Sequence, residues 1–303
     1  MERKLLWVIS SIVIVILWLK IEPQSTTPAT DSDTTEQAVE KAESKAKQPA
    51  KSDTAKSSTD ATKEEREYFQ SHPIDPNKPD FAAIEDVQTR KDAFFEFLIP
   101  FANEKNALLL KDRERLIKIL ENPEPPTREE KTWLAALRKI HNLRKVGVYT
   151  HEDIAALLKY VDIIPTSLVL AQAANESAWG TSRFAVEGNN YFGQWCFRKG
   201  CGLVPNARGE AQDHEVKKFS DARESVFAYI DNLNSNSAYK ELRAIRAKLR
   251  EQNKTITGLA LVHGLEHYSQ RGQDYIDEIG SLIDYNELWR FNLHGDDTTH
   301  YNE

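Results

Sequence analysis

From residue 64 onward, apolar side chains recur at three- and four-residue steps along most of the chain, the period of amphipathic helices. The pattern predicts helices over Glu64–Gln70, Asp86–Phe101 and Asn103–Leu120, with breaks at Pro100 and across Asn122–Pro126. Thr127-Arg128-Glu129-Glu130 has the form of a capping box and opens a helix through Trp133, Leu134, Leu137 and Ile140. Thr150-His151-Glu152-Asp153 is a second such start, leading into Ile154, Leu157, Leu158 and Val161. Phe94, Phe95, Phe97 and Phe101 fall at helical spacing and read as core.

Pro165 suits a first helical turn, so a helix is expected from Pro165 to Ala178. Leu168, Gln172, Asn175, Glu176 and Trp179 form one stripe on it, running from apolar to polar as the helix nears Gly180. That order suits a helix which starts in the core and ends at a cleft. Glu176 is the single carboxylate of the run Gln172–Gly180, among Ala171, Ala173, Ala174 and Ala178. Small neighbours let other elements close in, and a carboxyl desolvated in this way is held protonated and suits a general acid. The plainer reading is a half-exposed helix residue.

Between Phe184 and Lys218 the pattern changes to aromatics and turn formers, with glycines at 188, 193, 200, 202 and 209, and a short hairpin is expected. Helical spacing returns after Phe219, first through Val226, Phe227, Tyr229, Ile230 and Leu233. Further helices follow near Tyr239–Glu251, Thr255–His267 and Gln273–Trp289. The expected organisation is a leader over residues 1–21, a linker over 22–63, a helical lobe over 64–149, a second domain over 150–292 and a polar tail over 293–303.

The apolar run Leu5–Leu19 follows Arg3 and Lys4 and closes at Lys20, with no small-residue cleavage site soon after. It reads as an uncleaved signal anchor, or as a cleaved signal peptide, since spanning helices need roughly 17 to 25 residues. Either reading exports the body of the protein. Residues 22–63 are Ser, Thr, Ala, Pro, Gln, Lys, Asp and Glu with a single valine, too polar to bury a core, and read as a disordered tether. The remaining length and a hydrophobic content of 40% allow one or two domains. A net charge of -7 argues against general nucleic-acid binding, which needs a basic face.

The two cysteines, Cys196 and Cys201, bracket a loop in which Gly200 permits a turn. In an oxidising compartment they read as a disulfide. The rival readings are a nucleophile paired with His214 and half of a zinc site, though a second cysteine pair is missing.

Gln172-Ala173-Ala174-Asn175-Glu176-Ser177-Ala178-Trp179-Gly180, followed by Asn189-Asn190-Tyr191-Phe192-Gly193, resembles the opening motif of the glucosaminidase domains of glycoside hydrolase family 73. Phe219–Asn232 is similar to the helix that follows the family's hairpin, and Tyr268–Ile279 to its closing segment with two spaced tyrosines. The order of parts is closest to the exported bacterial Bax-type proteins, and the resemblance covers about residues 150 to 292. It implies a mainly α, lysozyme-like fold with a short β-hairpin lobe, preceded by the helical lobe. It also implies hydrolysis of β-1,4 bonds after N-acetylglucosamine in peptidoglycan, with no cofactor or metal.

Glu176 would then be the acid, and Trp179, Asn190, Tyr191, Trp195 and Tyr268 the substrate-binding set. Trp179 and Phe192 also have a core reading. The second carboxylate falls to Glu210 or, after it, Glu215. A widely spaced pair implies inversion, whereas assistance by the substrate's acetamido group implies retention. At Tyr268-Ser269-Gln270-Arg271-Gly272 the chain departs from the family, which commonly carries an acidic residue there. The implied partners are peptidoglycan glycan strands and, through residues 5–19, the inner membrane, with the body on its periplasmic side. Two other readings stand against this one. His263-Gly264-Leu265-Glu266-His267 matches the inverted zinc-protease pattern, and a non-catalytic glycan-binding module would share the same fold.

Overall fold

The computed structural model describes residues 63–75, 77–206 and 214–292. The apolar run at 5–19, the linker to residue 62, Glu210 and the tail lie outside the described residues. Among those residues no helix is long and apolar enough to cross a membrane.

Helix α1 spans Lys63–Ser71 and α2 spans Val87–Glu121. The expected break at Pro100 does not occur. Proline removes the bond to the carbonyl of Glu96, but Pro100 and Glu96 both face solvent, where water can satisfy that carbonyl. On the opposite side Phe94, Phe95, Leu98, Phe101 and Ala102 are buried and hold the helix together across the gap. α3, Arg128–Ile140, starts at the expected capping box: Glu130 N donates to Thr127 Oγ1 at 3.2 Å and Thr127 N to Glu130 Oε2 at 2.7 Å. The second box also forms, but α4 covers only His151–Ala155 before tightening to a 3-10 turn over Ala156–Lys159.

The central element is α5, Thr166–Ser177, entered from Pro165. Every side chain from Thr166 to Ala174 is buried, as expected of a helix surrounded on all sides. Its neighbours are α2, α9 (Gly258–Val262), α10 (Gln273–Tyr285) and the turn Leu288–Phe291. Gly258 makes the close approach of α9 possible, since a Cβ there would stand 2.4 Å from Ser167 Oγ. α6 (Arg183–Gly188), α7 (Ala222–Ser235) and α8 (Lys240–Glu251) complete the helices. One core runs from Phe81, Phe94 and Leu134 through Leu168 to Tyr229 and Ile279, so the residues before 150 share it with those after.

The glycine-rich region forms three short strands: β1 Trp195–Cys196, β2 Gly202–Leu203 and β3 Glu215–Lys217. They make an antiparallel sheet of order β1-β3-β2, with Trp195 opposite Val216 and Gly202 opposite Lys217. Thus β1 and β2 do not pair with each other as a simple hairpin; β3 returns between them. Cys196 and Cys201 are joined in a disulfide across the connecting loop, with Cα atoms 6.2 Å apart.

Candidate active site

α5 stops immediately after Glu176 and Ser177. Ala178, Trp179 and Gly180 take left-handed conformations in succession, with φ of 49°, 60° and 79°. The first two are costly for residues with a Cβ, and the surrounding bonds hold them there. Ser177 Oγ donates to Ala173 O at 2.6 Å and accepts from Gly180 N at 2.8 Å, while Trp179 N donates to Ala174 O at 3.0 Å. The chain therefore turns away sharply and leaves Glu176 half-buried on the last turn. Gly193 flanks it: a Cβ built there would lie 3.9 Å from Glu176 Oε2.

Glu176 Oε1 accepts a hydrogen bond from Tyr275 Oη at 2.8 Å. Behind it, Gln172 Nε2 donates to Tyr275 Oη at 2.8 Å, and Tyr229 Oη donates to Gln172 Oε1. Tyr268 stacks on Tyr275 with centroids 5.3 Å apart and donates to Phe192 O at 3.2 Å. Phe192 in turn stacks on Tyr229 at 3.9 Å. Burial raises the Glu176 carboxyl to about 7, against lowering hydrogen bonds from Tyr275 and Asn175; the charge of Glu278 adds to the rise and that of Arg271 opposes it. Near neutrality a large share of the molecules thus carries this carboxyl as the acid, with a proton to give. Arg271 and Glu278 form an ion pair with each other. The tyrosines are pushed the other way from use as bases: burial lifts Tyr229, Tyr268 and Tyr275 well above the usual phenol range.

Several residues expected to touch substrate are instead part of the scaffold. Tyr191 is buried among Phe94 and Phe97, because the turn carrying it packs onto α2. Asn190 is buried and closes that turn, donating to Gln194 O at 2.9 Å and Lys217 O at 2.8 Å and accepting from Phe192 N and Gln194 N. Trp179 meets Phe94 and Phe95 edge-on at 5.9 and 5.5 Å, with Lys91 Nζ 4.8 Å from its ring centre. Trp195 remains half-buried on the sheet, stacked on His214 at 4.0 Å. Tyr268 sits within the tyrosine group beside the acid.

Glu215 is buried on β3, and its two oxygens accept from Gly200 N at 2.9 Å and Gly202 N at 2.8 Å. This carboxylate braces the disulfide loop from inside, which corrects its expected place in the cleft. The disulfide also corrects both rival cysteine readings, since it leaves neither a thiol nucleophile nor a thiolate ligand. The same bond disposes of the group Cys196, Cys201 and Glu215, the one cluster of suitable atoms among the described residues. His263 and His267 are exposed, and His263–Leu265 is a 3-10 turn, so the two imidazoles do not stand one helical turn apart on an α-helix. Gly264 has a packing reason: a Cβ there would stand 2.3 Å from Leu242 Cα on α8.

Tyr229, Tyr275 and Glu278 are the site residues that periodicity alone does not single out, whereas Gln172 already lies on the stripe that ends at Glu176. The signal for Gln172 was its place one turn before Glu176, and for Tyr275 its place as the second tyrosine of the closing segment. Glu278 follows Tyr275 by one turn of α10.

A family model described as mannosyl-glycoprotein endo-beta-N-acetylglucosaminidase matches residues 151–288. Protein bax of Escherichia coli (strain K12) is 33% identical over 223 residues, which cover 73% of this chain and 79% of that protein. No solved structure matches.

Proposed function

Because this chain belongs to the glucosaminidase family and aligns with its Bax-type members, we propose that it hydrolyses β-1,4 bonds after N-acetylglucosamine in peptidoglycan. The observation that carries the proposal is Glu176: a half-buried carboxyl at a helix end, raised to about 7 so that it keeps its proton up to neutrality, and oriented by Tyr275. As the bond from the anomeric carbon to the leaving oxygen breaks, its electron pair goes to that oxygen, which takes the Glu176 proton. Water then supplies hydroxide to the anomeric carbon and a proton to the acid–base system. Trp179, Trp195 and Tyr268 are the sequence-derived contacts whose partial exposure is compatible with a sugar ring near the acid. Export through residues 5–19 and a periplasmic position at the inner membrane belong to the same proposal, because the substrate lies there.

Purified sacculi treated with the full chain are expected to release fragments ending in reducing N-acetylglucosamine, identified by mass spectrometry after borohydride reduction. Reducing N-acetylmuramic acid instead would make the enzyme a muramidase. Binding to sacculi without new reducing ends would make it a glycan-binding module. Activity abolished by a chelator and restored by zinc would shift the chemistry to His263 and His267.

For the second carboxylate we keep Glu210, since Glu215 is committed to the loop. Glu210→Gln is expected to cut the rate by roughly 10²-fold or more with the melting temperature unchanged. Glu215→Gln puts a donor against a backbone N–H and is expected to cost about 1 to 3 kcal/mol of stability, with activity following the folded fraction. The reverse pattern in paired melting and turnover assays would exchange the two roles.

A further inference from the structure

We infer that Gln172 decides which oxygen of Glu176 carries the acid proton: its amide, fixed by Tyr229, turns the Tyr275 hydroxyl onto Oε1 and leaves the proton on Oε2. The inference rests on the general-acid reading of Glu176 and adds a positioning residue to it.

The direction of each bond follows from what each group can do. An amide N–H only donates, so at 2.8 Å the Tyr275 oxygen must accept from Gln172 Nε2. Tyr275 keeps one hydrogen, it is buried, and its remaining partner is Glu176 Oε1 at 2.8 Å. Were the acid proton on Oε1, it would point at the Tyr275 oxygen and strand the tyrosine's own hydrogen in a buried site, which costs the bond. With the proton on Oε2 the hydroxyl hydrogens of Tyr229 and Tyr275 both have an acceptor. Oε2 is also the oxygen beside Gly193, where the absence of a side chain leaves room for a substrate oxygen.

The orientation of the amide is itself determined. Gln172 Oε1 accepts from Tyr229 Oη, and both groups are buried. Turning the amide over would set its NH2 against the Tyr229 hydroxyl and offer its oxygen to Tyr275. Tyr275 would then donate to Gln172 and stop donating to Glu176. Gln172 and Glu176 stand one turn apart on α5, so one rigid helix sets the spacing of the two groups that Tyr275 bridges.

The test reads the proton without substrate. In the full chain, the Glu176 side-chain carboxyl is followed by carbon-13 NMR across pH, its signal assigned by loss in Glu176→Gln. The groups that face it besides the relay, Asn175, Glu278, Arg271, Tyr268 and Tyr239, are unchanged throughout the series. Tyr275→Phe removes the donor and is expected to move the midpoint up by about one pH unit, a tenfold change in the ratio of acid to carboxylate. Gln172→Leu is expected to move it the same way, and Tyr229→Phe, which lets the amide turn over, by a smaller upward step. The two tyrosine variants delete a single oxygen each and keep the test available if Gln172→Leu does not fold. The alkaline limb of kcat on sacculi should move with the midpoint while KM stays constant. A midpoint unmoved in Tyr229→Phe or Tyr275→Phe, or a downward shift in either, overturns the inference. If the wild type releases no sugar ends, the glucosaminidase reading fails on that result, and the titration series still decides the relay.

Discussion

Under the proposed function, Glu176→Gln is expected to lower glycan cleavage by about 10² to 10⁴-fold, the range for removing a positioned general acid, and to raise the stability of the fold at neutral pH. The second effect follows from the first cause. In the folded chain the carboxyl is raised to about 7 from an ordinary 4.5, because burial disfavours its charged form. The folded state therefore holds a proton that the unfolded state has lost over the window between these values, and stability falls as pH rises through it. Glutamine carries no such burden. The variant should melt above the wild type at pH 8, by on the order of 1 to 3 kcal/mol, and the difference should vanish toward pH 4. Wild-type turnover should fall along an alkaline limb near 7. Turnover on sacculi and calorimetry across pH check both parts, and a variant that keeps full activity ends the assignment of Glu176.

The desolvated position of Glu176 was legible in the sequence because a lone carboxylate in an alanine-rich helix is unusual for physical reasons. The same small residues that let α2, α9 and α10 close around α5 desolvate Glu176. Capping boxes at Thr127 and Thr150 were legible for a similar reason: the bonds that make them are local, between residues three apart. Pro100 misled because a proline's effect depends on which side of the helix it faces, and spacing does not report that the neighbouring carbonyl is exposed. Asn190 and Tyr191 misled in the opposite way. Polar and aromatic residues in a motif beside an acid suggest substrate, yet here they close a turn and fill the gap against α2. Local pattern marked Gln172 and Tyr275 one at a time, but not the relay that links them behind Glu176. That relay joins Gln172 on α5, Tyr229 on α7 and Tyr275 on α10, and which side chains meet between three helices is settled by packing. The sheet order was equally hidden, since β3 pairs with both earlier strands across residues whose composition only marks turns.

Asp162→Ala is expected to be the most destabilising single change in the segment that feeds α5, at about 3 to 5 kcal/mol. Asp162 is 2% exposed and serves three guanidinium groups: Arg250 at 2.8 Å, Arg113 at 3.4 Å and Arg246 at 3.9 Å. Burial alone would raise its carboxyl, but the bond from Arg250 and the charges of Arg246 and Arg113 outweigh that and hold it below the usual range. Its contribution is thus present above the ordinary carboxylate pKa and is lost as pH falls through the lower folded value. Alanine leaves Arg246, itself 1% exposed, as a buried cation with no carboxylate in contact. Arg246 also donates to Asp162 O, Ile163 O and Lys159 O, so the strain reaches the backbone leading to Pro165. Urea unfolding measures the loss, and a change below about 1 kcal/mol would mean that water or rearranged carbonyls already carry the arginines. The double variant Asp162→Ala with Arg246→Met separates the two causes. Removing the stranded cation should recover much of the stability, since an apolar replacement for a buried pair often costs little, whereas loss of loop geometry alone would leave the two variants equally weak.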